Sequence, residues 1–170
     1  MTCLGHELEV FWSNLLAGTS GIGPIRQFDA SDLPCRIAGE VTDLTVTDFI
    51  PAKEARRMAR ASQLALVAAM QAVRHSGLTK NDLATERTGV CFGTSIGGVE
   101  RVDEGIQALR KGGWGKGGPF IIPSSLPNMP AFHIAHEFGA LGTNRTIATA
   151  CATGTQAVGE GAEDIFRGRA

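Results

Sequence analysis

The hydrophobic positions Leu8, Phe11, Trp12, Leu15 and Leu16 recur at i, i+3, i+4, i+7 and i+8, the spacing of one helix face. Gly18, two residues past the last of them, supplies the stop. The next stretch, GIGPIRQFDASDLPCR, is rich in Gly, Pro and Asp and reads as loop, and RIAGEV reads as a short strand at best. After Pro51, KEARRMARASQLALVAAMQAVRHSG predicts one long Ala-rich helix, basic at its start and stopped by Gly77. Gly89 to Gly93 within TGVCFGTSIGG predicts a buried strand that runs into a Gly-rich turn. GVERVDEGIQALRKGG predicts a surface helix, WGKGGPFIIPSSLPNMP an irregular segment, and AFHIAHEFG a short helix. A strand is expected from Thr146 to Ala150. It would meet Cys151 and turn at once into a helix with Val158, Ala162 and Ile165 on its inner face. Strands alternating with helices imply an α/β layered fold.

Composition narrows the class. A chain of 170 residues with 43% hydrophobic and 19% charged residues is long enough for one globular domain with a real core. Sixteen basic against seventeen acidic side chains leave a formal charge of −1, so no global field draws the chain to nucleic acid or a membrane surface. The apolar runs are too short to span a bilayer, and the first ten residues have no basic and apolar succession of the signal-peptide kind. Four scattered cysteines without a C-x-x-C pair suit a reducing cytoplasm better than a disulfide framework or a zinc site.

The candidate chemistry sits in TACATG, residues 149 to 154. A cysteine between a strand and a helix meets the unpaired N–H groups and the positive end of the helix dipole, which favour thiolate over thiol. The same N–H groups can hold a developing oxyanion. Free cysteines also pack as small hydrophobes, and the turn position alone leaves both readings of Cys151 open. GTSIGG lacks the Lys-Ser/Thr of a phosphate loop. His133 and His136, spaced i, i+3, would need further metal ligands that nothing nearby suggests, so a helix-face or interface role is favoured. His6 and His75 read as solvated.

GTNRTIATACATGTQAVGEG resembles the active-site segment of the β-ketoacyl-acyl-carrier-protein synthases, of the form G-P-S-x-x-x-x-T-A-C-[AS]-[ST]-G. FWSNLLAGTSGIGPIRQFDASD, IAGEV, KEARRMARASQLAL, GVCFGTSIGG and PFIIPSSLPNM agree with that family in order and spacing, nearest to its fatty-acid type II members. The departures are GTN for GPS and CAT for CAS or CTS.

The resemblance implies a thiolase-like layered α-β-α fold, with residues 1–170 as a partial N-terminal domain. The first strand, the C-terminal half and the rest of the sheet would lie outside this chain. It implies acyl transfer to Cys151, which acts as nucleophile and as backbone oxyanion donor. Decarboxylative Claisen condensation with malonyl-carrier would follow in the complete enzyme, in fatty-acid elongation. The two histidines and the lysine that support those steps belong to the family's C-terminal half, so the isolated chain is expected to be inactive. Ile96, Phe120, Ile121 and Ile122 match residues that shape the acyl pocket, and each is equally explained as core or buried loop. Lys53, Arg56, Arg57 and Lys116 match part of a basic rim that docks the acidic acyl carrier protein; the plainer reading is a solvated face. No cofactor or metal is implied, because the substrates ride on the phosphopantetheine of the carrier. The expected assembly is a cytoplasmic homodimer. Two alternatives stand beside this one: a polyketide ketosynthase of the same fold, and a non-catalytic half that binds carrier protein or a complementary subunit. Polyketide members more often read A-C-S-S-S, and non-condensing chain-length factors carry Gln where this chain keeps Cys151.

Overall fold

The computed structural model describes residues 1–170 except Trp114, Lys116 and Gly117. The chain divides into two compact units, Met1–Thr45 and Val46–Ala170.

The first unit holds helix α1 (Leu8–Leu16) and a two-residue antiparallel ribbon, β1 (Gly23–Pro24) with β2 (Ile37–Ala38). Gly18 ends α1 in the left-handed conformation, as its position in the sequence predicts. No residue of α1 is buried, so its apolar stripe forms without being covered. Half of the ribbon comes from the stretch expected to be loop, because two residues of pairing leave no periodicity to read. His6 is not simply solvated: its Nδ1 lies 2.8 Å from Asp43 Oδ2.

The second unit carries the layers. Strands β3 (Val90–Gly93) and β4 (Asn144–Ile147) pair in parallel, with Cys91 opposite Arg145 and Gly93 opposite Ile147. Between them the chain runs through α5 (Val99–Gly112), α6 (Ile121–Ser125) and α7 (Met129–Phe138). Helix α8 (Thr153–Phe166) packs on the face bearing Cys91, Gly93 and Arg145. Strand alternation gives Val90 and Phe92 to the other face. There α7 packs on the sheet and is backed by α3 (Arg60–Ser76), with the short α4 (Lys80–Leu83) against α7. The result is the expected α-β-α layering, with a two-stranded sheet in this chain. Its core includes Ile50, Met58, Ala59, Val67 and Phe138. Val67 is 0% exposed, a burial that stabilises by about 2 kcal/mol.

Several predicted elements need correction. The single helix after Pro51 is two, α2 (Ala52–Ala55) and α3, with Ala59 extended at ψ 156°. The break buries Met58 and Ala59 against the rest of the unit. Gly77 ends α3 at φ 73°, a left-handed conformation that costs glycine little. The segment expected to be irregular contains α6. β3 is half-buried rather than buried, and an apolar groove of about 450 Å³ opens between its first two residues, Val90 and Cys91, and α8. Val158, Ala162 and Ile165, expected to face inward, line that groove and are exposed. The buried face of α8 is instead Thr153, Ala157 and Asp164. Asp164 can be buried because Arg145 of β4 donates to it at 2.8 Å and the Thr143 hydroxyl at 3.1 Å. A hydropathy pattern assigns such a carboxylate to solvent. Among the described residues no helix is long and apolar enough to cross a membrane.

Candidate active site

The strand before Cys151 ends at Ile147, three residues earlier than expected, and the helix begins at Thr153 rather than directly after the thiol. Between them lies a 3-10 turn, Ala150–Ala152, with Cys151 at its centre. The chain enters through Thr149 at φ −125°, ψ 41° and through Ala150 at φ 49°. Among the described residues Ala150 is the one non-glycine at positive φ. L-residues avoid that region, so the turn is held by its surroundings rather than by local preference.

Two contacts hold it. The amide of Ala152 donates to the carbonyl of Thr149 at 3.1 Å, closing the turn. The amide of Thr149 donates to the hydroxyl of Thr153 at 2.8 Å. On the sheet side, Gly93 lies directly against the γ-methyl of Thr153. A methyl group added to Gly93 would fall on that γ-methyl and 2.6 Å from the carbonyl oxygen of Ile147. A side chain at 93 would push the start of α8 away from the sheet. The Arg145–Asp164 pair fastens α8 to β4 further along.

Cys151 is exposed, and its N–H makes no hydrogen bond to another described residue. Thiol and free N–H thus stand together at the head of a 14-residue helix, where the dipole favours negative charge. Cys91, on β3, contrasts with it. Burial and, after it, the Glu160 carboxylate push its thiol above the ordinary range, which disfavours a nucleophile there.

The parallel register decides where the other candidates lie. Gly93 and Ile147 are partners at the carboxyl ends of their strands. Ile96 follows three residues after Gly93 and Cys151 four residues after Ile147, so both leave the sheet at the same edge. Ligands of open α/β sheets bind outside that edge. Ile96 is 67% exposed. Its turn is fixed by Gly97, which donates to the Thr94 hydroxyl at 3.1 Å and sits against Ser125 and Pro127. The same segment therefore joins Ile96 to α6, which carries Ile121 and Ile122. Ile121 fills the space over Gly105 of α5, while Ile122 is open.

Phe120 meets the basic residues. The Arg57 guanidinium lies 4.2 Å from the centre of its ring, a contact worth about 0.5–1 kcal/mol at an exposed site. Lys53, Arg56 and Arg57 are all exposed on and after α2. Lys116 lies outside the described residues. His133 and His136 both meet Phe132, His133 edge-on at 5.2 Å and His136 stacked at 5.7 Å, and among the described residues the buried Nε2 of His133 has no hydrogen-bond partner.

The sequence pattern does not flag Thr149, Gly93 and Thr153, nor the positive φ of Ala150, all of which shape the turn. A glycine ending an apolar strand was the available signal for Gly93. Nothing in the sequence flags Ala150, since alanine has no preference for positive φ.

An α-β-α layering whose parallel strands lead to an exposed thiol on a strained turn places this chain among the thiolase-like ketosynthase folds. The family model described as "Beta-ketoacyl synthase, N-terminal domain" matches residues 1–170, and the chain belongs to that family. It is 40% identical over 167 residues to a 3-oxoacyl-(acyl-carrier-protein) synthase 2 of Synechocystis sp., a match that covers 98% of this chain and 39% of the relative. A protein of the same name from Staphylococcus aureus is 37% identical over 98% of this chain and 40% of its own length. The chain spans about two fifths of the length of these relatives. Among solved structures, "The ishigamide ketosynthase/chain length factor" matches with a TM-score of 0.87 and 28% identity, over 98% of this chain and 42% of that one. A β-ketoacyl synthase from Burkholderia phymatum shares the fold with a TM-score of 0.81 at 24% identity, over 99% of this chain and 42% of that one.

Proposed function

We propose that this chain supplies the acyl-accepting half of a 3-oxoacyl-acyl-carrier-protein synthase, with Cys151 as the acceptor. One observation carries the reading: an exposed thiol and an N–H without a hydrogen-bond partner among the described residues share one turn at the head of α8. The thiolate attacks the carbonyl carbon of an acyl thioester carried on the phosphopantetheine of an acyl carrier protein. The N–H of Cys151 steadies the oxyanion of the tetrahedral intermediate. The carbon–sulfur bond to the carrier breaks, and the carrier leaves as thiolate and takes up the proton that the Cys151 thiol had released to solvent. In a protein of the relatives' length, malonyl-carrier then loses carbon dioxide. The resulting carbanion takes the acyl group, and Cys151 leaves as thiolate. No other cofactor enters this reading. Lys53, Arg56 and Arg57 meet the acidic carrier, and Ile96 with Phe120, Ile121 and Ile122 borders the acyl chain. The working form is a cytoplasmic homodimer.

Relatives at 40% and 37% identity named for 3-oxoacyl-carrier-protein synthesis favour fatty-acid elongation over the polyketide alternative, whose neighbour among solved structures, a ketosynthase titled as type II PKS, stands at 21%. Retention of Cys151 on a strained turn favours catalysis over a purely binding half.

The test is alkylation of the protein by iodoacetamide with the adducts mapped by mass spectrometry, followed by acyl loading from an acyl-carrier thioester. Cys151 reacts fastest and carries the acyl group. Faster reaction at Cys35 or Cys91 would falsify the assignment.

A further inference from the structure

We infer that Thr153 is a positioning residue for Cys151: one side chain clamps the thiol's turn from both sides, its hydroxyl on the Thr149 amide and its methyl on Gly93. The inference rests on the reading of Cys151 as acyl acceptor and adds the residue that sets its geometry.

The turn has no local reason to form. Ala150 at φ 49° occupies a region that L-residues avoid, and no glycine or asparagine eases it. Something outside residues 150–152 must hold it. Thr153 is 5% exposed and reaches both neighbours that matter. Its hydroxyl accepts the Thr149 amide at 2.8 Å, which closes the backbone around the thiol from the residue before Ala150 to the residue after Ala152. The bond resembles the reach-back half of a capping box, made from the fourth residue after Thr149 rather than the third and by a hydroxyl instead of a carboxylate. Its γ-methyl packs on the Cα of Gly93 at the end of β3, which references the turn to the sheet.

Hydroxyl and methyl share one Cβ, so the χ1 that places the hydroxyl on the Thr149 amide also places the methyl on Gly93. Serine would keep the hydroxyl and lose the methyl. Valine would keep the volume and leave the Thr149 amide without its acceptor. The hydroxyl is already engaged with Thr149, so it acts on the thiol through the backbone. The free N–H of Cys151 is part of that backbone. Its aim, both toward the sulfur and toward a bound carbonyl, depends on the φ and ψ values that the clamp preserves.

The experiment compares the wild-type protein with Thr153→Val and Thr153→Ser. The rate of Cys151 alkylation by iodoacetamide is followed against pH, with adducts mapped by mass spectrometry. Acyl loading from an acyl-carrier thioester is followed in single-turnover mode and resolved into its maximal rate and its half-saturating carrier concentration. Thr153→Val lowers the neutral-pH alkylation rate and the maximal loading rate by about tenfold, a little more than one neutral hydrogen bond supplies. It moves the alkylation profile to higher pH and leaves the half-saturating concentration within about twofold, since no contact to the carrier is lost. Thr153→Ser restores most of the rate and the profile. Hydrogen exchange on the wild-type protein reports independently of any variant: the Thr149 amide exchanges slowly, as a held donor does.

A Thr153→Val protein with wild-type rate and profile overturns the inference. So does a Thr153→Ser protein as impaired as Thr153→Val, or a fast-exchanging Thr149 amide. A wild-type Cys151 slower than Cys35 or Cys91 sinks the acceptor reading and this inference with it. A reactive Cys151 indifferent to residue 153 sinks the inference alone.

Discussion

Arg56 and Arg60 stand four residues apart, the spacing at which an unbroken helix bonds the amide of one to the carbonyl of the other, yet each is bonded to α5 instead. The amide of Arg60 donates to the Glu100 carboxylate at 2.9 Å, and the carbonyl of Arg56 accepts from the Arg101 guanidinium at 3.3 Å. Two adjacent α5 side chains thus satisfy the groups that the break between α2 and α3 exposes, and α2 with its cations becomes a separate element. Replacing Glu100 by Ala removes the cap of α3 and costs about 1 kcal/mol. Arg101→Ala costs about as much, through the Arg56 carbonyl and the Ser124 hydroxyl it also serves. In the double variant the helix can bridge the gap, so the combined cost falls short of the sum by about 0.5 kcal/mol or more. Urea midpoints of the four proteins check this, and strict additivity would speak against it.

Gly93 makes the approach of α8 to the sheet possible. The Gly93→Ala methyl meets the carbonyl of Ile147 as well as the side chain of Thr153, and a backbone atom cannot swing away. Overpacking of this kind costs about 2 kcal/mol. The strain falls on the turn that carries Cys151, so its alkylation slows too. Chemical denaturation and adduct mapping on one protein would show both effects. A variant with unchanged stability would mean that the helix has room to move.

The carrier-docking reading makes a salt-dependent prediction. Lys53, Arg56 and Arg57 are exposed, so their attraction for an acidic partner acts chiefly on encounter and is screened within about 10 Å at 0.1 M salt. Changing all three to Glu should slow association with acyl carrier protein by about tenfold or more at low ionic strength, and by less as salt rises. Stopped-flow association at several salt concentrations measures this. An on-rate equal to wild type at every concentration would return these residues to a solvated face.

His133 sets an acid limit on stability. Burial is the main cause that holds its imidazole below the ordinary histidine value of 6.5; the nearby His136 adds to the effect and Glu54 opposes it. The folded protein therefore binds fewer protons at this site than the unfolded chain as the pH falls through the ordinary range. Stability is lost on going down from about pH 6.5 until the folded-state imidazole itself takes up a proton. His133→Leu, which cannot titrate, should have a melting temperature that falls less between pH 7.5 and pH 5.5. Parallel pH dependences in the two proteins would exclude a role for His133.

The local sequence by itself determined most of the helices, the layered class and the thiol proposed as acceptor. Leu8 to Leu16 repeats at helical spacing, Gly18 and Gly77 can take the left-handed stop that few other residues tolerate, and Cys151 stands in a short motif of small residues between strand and helix. These signals survive because each is written within a few neighbouring residues. Long-range partners decided the rest. The helix after Pro51 breaks because Glu100 and Arg101, some forty residues away, satisfy the backbone groups that the break exposes. α8 buries Asp164 and exposes Val158 and Ile165 because Arg145, on a strand, neutralises the carboxylate. The Cys151 turn takes a shape that Ala150 alone would avoid, because Thr153 and Gly93 hold it. In each case a free-energy cost that is local in sequence is offset by a contact that exists only after the chain has folded.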